Sequence, residues 1–274
     1  MKIVTLLENT AVGEGIHAAH GLSNYIETDK HKILFDMGPD YHFALNAEKL
    51  GIDLSQVDLA VLSHGHYDHG GGLAAFLAVN DKAPVFLRPG AFGNYYSLAG
   101  HHPHYIGLDP KLREYEERLI ETEALLRFDE EITLFSDVED TMNALAASAK
   151  LKEQVGEEWR PDTFAHEQDM IVESGGRTVL FAGCAHRGIV NIIRKAEQQM
   201  GRRPDVVFGG FHMFQLEPDA PGSDALIDEV GRQLLEGDTV YYTGHCTGEY
   251  AYQRLKTILG DRLRPMQGGR TELL

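Results

Sequence analysis

Three histidines and an aspartate fall within the stretch Ser63-His64-Gly65-His66-Tyr67-Asp68-His69-Gly70-Gly71-Gly72, directly after the largely apolar run Val57 to Leu62. A short apolar run ahead of a glycine-rich loop reads as a buried strand delivering that loop at its C-terminal end. His64 and His66 can face one side of the loop, and Asp68 and His69 another. Grouped imidazoles repel one another when protonated and need partners when buried. A divalent metal removes both difficulties, because neutral imidazole is the commonest metal ligand. The chemistry to expect is metal binding, with Asp68 as both ligand and catalytic carboxylate.

Further along, the same grammar of strand, glycine and ligand-type side chain returns. Thr178 to Phe181 runs into Ala182-Gly183-Cys184-Ala185-His186-Arg187-Gly188, and Pro204 to Phe208 into Gly209-Gly210-Phe211-His212. Thr239 to Tyr242 runs into Thr243-Gly244-His245-Cys246-Thr247-Gly248. Earlier, Ile33-Leu34-Phe35-Asp36-Met37-Gly38 ends a buried strand on an aspartate. A carboxylate there suits a role behind the ligands, since a metal-bound histidine needs its other N–H fixed.

The 64–69 string matches the His-x-His-x-Asp-His signature of the metallo-β-lactamase superfamily, and the chain resembles that superfamily over most of its length. The resemblance implies an α/β fold, an αββα sandwich of two mixed β-sheets flanked by helices. It also implies two divalent metal ions. His64 and His66 match ligands of the first, and Asp68, His69 and His245 match ligands of the second. Where many members carry a bridging aspartate, this chain reads Leu180-Phe181-Ala182-Gly183-Cys184. Cys184 is thus either a thiolate ligand or a small buried apolar side chain. For the third histidine of the first metal His186 is expected, with His166 the alternative. Asp36 would orient ligands, and His212 and Arg187 would contact substrate or the ligands themselves. Zinc is the default for such donors, with iron and manganese open.

A site of this kind activates water for attack on a carbonyl or phosphoryl centre, so hydrolysis of an ester, lactone, thioester or phosphoester is expected. The branch resembled, dihydropterin-(ribofuranosyl)aminobenzene-phosphate synthase, implies instead a transferase using a pterin pyrophosphate, with Arg187 or Arg88 as the cation. Two remoter readings are a di-iron redox protein and a metal-binding protein without catalysis. The first is disfavoured because no length remains for a flavin domain.

The balance of 25 basic against 42 acidic residues gives a net charge of −17, which argues against nucleic acid or an anionic membrane as partner. It leaves a small anionic or phosphorylated substrate open, because bound cations dominate their local field. Two cysteines make no disulfide framework, and each adjoins or nearly adjoins a histidine. The N-terminus lacks a signal-peptide pattern, so a cytoplasmic location is expected. The sequence reads as one domain, with Lys2 to Leu7 as first strand and a hairpin from Gly21 to Asp36. Tyr41 to Leu50, Leu73 to Val79, Ile189 to Gln199 and Ser223 to Leu235 are expected as helices. From about 91 to 140 the pattern loosens into a helical or loop insertion. It contains His101-His102-Pro103-His104-Tyr105 and a charged helix over Pro110 to Leu126. Glu8-Asn9-Thr10 and His20-Gly21-Leu22-Ser23 are expected near the site.

Overall fold

Successive side chains of a strand point to opposite faces, and the strands here are apolar on both. Leu59 and Val61 enter a core shared between two sheets, while Ala60 and Leu62 pack beneath helices. In the second half Val179 and Phe181 join the shared core, and Leu180 and Ala182 meet a different set of helices. Two sheets face to face with helices outside give the αββα sandwich expected from the sequence. The computed structural model describes residues 1–142 and 148–274.

The first sheet is built on β1 (Lys2–Leu7), β2 (Ser23–Glu27), β3 (Lys32–Phe35), β4 (Leu59–Val61) and β5 (Val85–Leu87). The first three are antiparallel neighbours, whereas β3, β4 and β5 run parallel. Helices α1 (His42–Lys49) and α3 (Leu73–Val79) cover its outer face, and α2 (Tyr67–Gly70) is a single turn inside the histidine loop.

The stretch expected as a charged helix is helical only in its first half. Pro110–Arg118 forms a 3-10 run interrupted at Tyr115, and the chain then straightens. After β6 (Tyr95–Ser97) and β7 (His104–Tyr105) come β8 (Leu119–Glu121), β9 (Leu125–Arg127) and β10 (Ile132–Phe135). Strand β8 pairs in parallel with β5, burying part of Leu119 against the first helical layer. Pairing with β5 therefore ends the helical run at Leu119. A hairpin of β11 (Leu151–Val155) and β12 (Glu158–Pro161), absent from the sequence reading, completes a small sheet with β6 and β7.

The second large sheet contains β13 (Asp169–Ser174), β14 (Arg177–Phe181), β15 (Val206–Phe208), β16 (Val240–Thr243) and β17 (Leu263–Pro265). The last four are parallel, and β10 and β9 extend the other edge. Strand β18 (Thr271–Leu273) returns to pair with β1. Outside lie α4 (Ile189–Met200), α5 (Ser223–Leu234) and α6 (Glu249–Leu259). Helix α4 buries Ile189, Ile192, Ile193 and Ala196, a helical repeat on one face, and stops where Gly201 takes φ 72°.

Candidate metal centre

Ligands in open parallel sheets gather at the carboxyl ends of the strands. Here the ends of β3, β4, β14, β15 and β16 supply Asp36, the 63–69 loop, Cys184, His212 and His245. The two halves meet closely at this rim. A Cβ at position 183 would lie 2.2 Å from the Ser63 hydroxyl, so only glycine lets the Cys184 loop approach the histidine loop. Asp36, Ala185, His212 and His245 all adopt positive φ, between 48° and 60°, although none is glycine. Such strain persists where the surroundings fix it, and it collects at functional sites.

Asp36 is fully buried and has three donors. Its Oδ1 accepts the Ser63 backbone N–H at 2.7 Å, and its Oδ2 accepts the Ser63 hydroxyl at 2.7 Å and His69 Nδ1 at 2.6 Å. With its Nδ1 held by a carboxylate, His69 turns Nε2 toward Cys184 Sγ, 3.2 Å away. His245 is fixed in the same way from the opposite sheet. Its Nδ1 donates to Asn9 Oδ1 at 2.9 Å, and Glu8 accepts its backbone N–H. The two Nε2 atoms therefore face each other at 3.2 Å, with Asp68 Oδ2 lying 3.6 Å from one and 3.3 Å from the other. Lone pairs so close demand a cation or a proton between them. Asp68, His69, Cys184 and His245 bring their ligand atoms within 4.8 Å of one another.

The remaining histidines sit beside this group. His64 takes a contact from Ser63 Oγ at its Nδ1, 2.9 Å, and the Nε2 atoms of His64, His66 and His186 are buried without a hydrogen-bond partner. Ring centroids are 4.5 Å apart for His64 and His66, and 4.9 and 5.0 Å from these to His186. Burial, reinforced by the neighbouring histidines, holds the pKa of His64 and His186 well below the usual value. Their neutral rings thus keep a free lone pair. His69 differs: burial opposes its charge, but Asp36 and Asp68 raise its pKa to about 9. Burial also opposes charge on Asp68, yet His69 and His245 hold it below the ordinary carboxylate range.

His166 is occupied by protein partners. Gly65 N–H donates to its Nδ1 at 2.9 Å, so its Nε2 carries the proton and faces Asp162 Oδ2 at 3.2 Å. His186 has no such engagement; only Ser148 Oγ lies at 3.5 Å from Nδ1, and its ring stacks on Phe164 at 4.1 Å. Glu167 pins the turn by accepting the backbone N–H groups of His186 at 2.7 Å and Arg187 at 3.0 Å. The Arg187 side chain shows no hydrogen bond or salt bridge among the described residues, and its charge acts on Glu167. Arg88, by contrast, donates to the Thr122 carbonyl and lies 3.5 Å from Asp137. His212 is buried, its ring centroid 4.2 Å from that of His186.

Glu8, Asn9 and His20 do lie at the site, with His20 Nε2 3.4 Å from Asp68 Oδ2 at the solvent side. Beyond His245 a cavity of about 440 Å³ is walled by Phe214, Tyr252, Glu249, His20 and Gln267. Sequence reasoning passed over Ser63, Asp162 and Glu167. The four-residue step from Asp162 to His166 was the available signal for one of them.

Residues 19–245 match the Metallo-beta-lactamase superfamily. An uncharacterised protein of Methanocaldococcus jannaschii is 28% identical over 93% of this chain and 94% of its own length. A second protein of that organism, named 7,8-dihydropterin-6-methyl-4-(beta-D-ribofuranosyl)-aminobenzene-5'-phosphate synthase, is 26% identical over 90% of this chain and 88% of its own. The crystal structure of Tm1679, described as a metal-dependent hydrolase of the beta-lactamase superfamily, superposes with a TM-score of 0.82 and 28% identity, covering 100% of this chain and 99% of that one. With fold, rim geometry and sequence match in agreement, the chain belongs to the metallo-beta-lactamase superfamily.

Proposed function

We propose that the protein is a metal-dependent hydrolase with a binuclear centre acting on a small ester or phosphoester. The observation that carries this reading is the pair of opposed His69 and His245 Nε2 atoms beside Asp68, next to three buried imidazoles whose Nε2 atoms have no hydrogen-bond partner, His66 Nε2 lying 3.8 Å from Asp162. In this reading His64, His66 and His186 hold the first cation, and Asp68, His69, His245 and Cys184 hold the second. Zinc suits the mixed nitrogen and sulfur donors. When bound, such a pair of cations makes a water molecule acidic enough to act as nucleophile near neutral pH and polarises the oxygen under attack.

The chain's own groups do the rest. Asp36 and Asn9 fix the tautomers of His69 and His245 by taking their Nδ1 protons. His20 links Asp68 to solvent. Its pKa is lowered by burial and by His245, so it is neutral near pH 7 and able to accept a proton leaving the site. Arg187, whose charge acts on Glu167 but whose side chain shows no hydrogen bond or salt bridge among the described residues, is the cation we assign to an anionic substrate.

A second reading, a transferase, is favoured by one finding, the 26% identity to the protein named as a synthase. One experiment separates the two. Zinc-loaded protein is offered phosphodiester, phosphomonoester, lactone and thioester substrates, and in parallel a pterin pyrophosphate with an arylamine acceptor. Hydrolysis that falls by at least about 10³-fold in folded Asp68→Ala supports the hydrolase. Pyrophosphate release only when the arylamine is present, without hydrolysis of the panel, overturns it in favour of the transferase.

A further inference from the structure

A third set of soft donors lies behind the centre just described. Cys184 Sγ, Cys246 Sγ and a ring nitrogen of His212 all fall within 4.8 Å of one another, and all three residues are buried. Each comes from the end of a different parallel strand: Cys184 from β14, His212 from β15 and Cys246 from β16. We propose that these three residues form an additional thiolate-rich metal site, for zinc or another soft cation, sharing only Cys184 with the binuclear reading.

Four observations support it. First, both ring nitrogens of His212 lack a hydrogen-bond partner although the residue is only 7% exposed. An imidazole so placed has at least one lone pair or proton that nothing in the protein satisfies. Second, the spacing fits, because a tetrahedral zinc with Zn–S of about 2.3 Å sets its ligands about 3.8 Å apart. Third, the Cys246 sulfur is held in a built cradle. The His212 backbone N–H donates to it at 3.3 Å, and a Cβ at position 210 would lie 2.4 Å from it, so glycine is required there. Fourth, three of the seven positive-φ non-glycine residues among the described residues lie on or beside the donors: Ala185 follows Cys184, His245 precedes Cys246, and His212 has φ 48°. Non-glycine residues stay left-handed only where something over-determines them, and a cation tying three strand ends would do so. Two thiolates and an imidazole favour zinc or cuprous ion over magnesium or calcium.

The site also assigns His212 differently from a substrate contact. Its ring packs against His186, so a metal here would brace the third histidine of the first cation from behind.

The test is a zinc titration of metal-free protein, with elemental analysis after gel filtration, on wild type, Cys246→Ser, His212→Gln and Asp68→Asn. Wild type should retain about three zinc ions per chain, and Cys246→Ser and His212→Gln about two each, while Asp68→Asn keeps the thiolate-rich site. Cobalt titration of wild type gives a readout that needs no variant. The thiolate-to-cobalt charge-transfer absorption should keep rising through a third equivalent. Saturation at two zinc ions in both wild type and Cys246→Ser, or no further absorption beyond the second cobalt, overturns this site and leaves the binuclear reading standing. A mass lower by about 2 Da and no titratable thiols in the purified protein would identify a Cys184–Cys246 disulfide and overturn it as well. No retained metal in any form overturns both readings.

Discussion

Asp36→Asn isolates the carboxylate that fixes His69, the histidine proposed for the second metal. Asparagine tolerates the positive φ of 60° at this position, keeps an oxygen for the Ser63 N–H, and matches aspartate in size. What changes is the atom facing His69 Nδ1, 2.6 Å away, where an amide NH₂ replaces an acceptor oxygen. A donor cannot face Nδ1–H, so the ring must move its proton to Nε2, the atom pointing into the site. A protonated Nε2 cannot bind a cation. Loss of such an orienting partner typically weakens metal binding about 10- to 100-fold, or about 1.4–2.7 kcal/mol. Competition against a chromophoric chelator measures the affinity, and circular dichroism checks the fold. A folded Asp36→Asn protein that binds both cations within about twofold of wild type would refute the tautomer argument.

Two further outcomes concern the metal-free protein. Removing the cations should lower the melting temperature, because ligand present at about 100 times its Kd adds about 2.7 kcal/mol, worth roughly 5–10 °C for a chain of this size; an unchanged value after verified removal counts against a metal-filled native site. Acidification of the metal-free protein should also destabilise it. His64 and His186 have folded pKa values well below 6.5, so the unfolded chain binds more protons and stability is lost as pH falls through about 6.5. His69 acts in the opposite sense: its pKa of about 9 contributes stability fully present below 6.5 and lost as pH rises through 9. Between pH 7 and 5.5 the depressed histidines, His66 among them, lower the stability and His69 offsets part of that loss, so the urea midpoint should fall. Urea midpoints at the two pH values measure it; equal midpoints would show that these rings are not buried as neutral species.

Much of this arrangement is legible in the chain itself, because strand ends are marked by apolar runs that break on glycine. That rule located Asp36, the 64–69 loop, Cys184, His186, His212 and His245 at strand termini. It could not say which strands are neighbours, so it favoured His186 with His166 as the alternative and had no view of the Gly65 and Asp162 contacts that engage His166. Pairing is equally invisible for Leu119 to Leu126, read with Pro110 to Arg118 as one charged helix but claimed by neighbouring strands. Arg88 and Arg187 look alike in sequence, and only tertiary contacts show Arg88 bound to the Thr122 carbonyl while Arg187 acts on Glu167 through its charge. Ser63 and Glu167 were missed for a similar reason. Each is a common polar residue whose importance lies in a long-range bond.

The central claim is a binuclear centre that uses His186. Its most direct measurement is metal content per chain in protein purified without added metal, for wild type, His166→Ala and His186→Ala. The account predicts at least about two metal ions in wild type and a loss of about one in the His186 variant alone. A loss confined to His166→Ala would contradict the assignment and make His166 the ligand. Wild-type protein that holds no metal, even after reloading with zinc, iron or manganese, would contradict the metal centre itself.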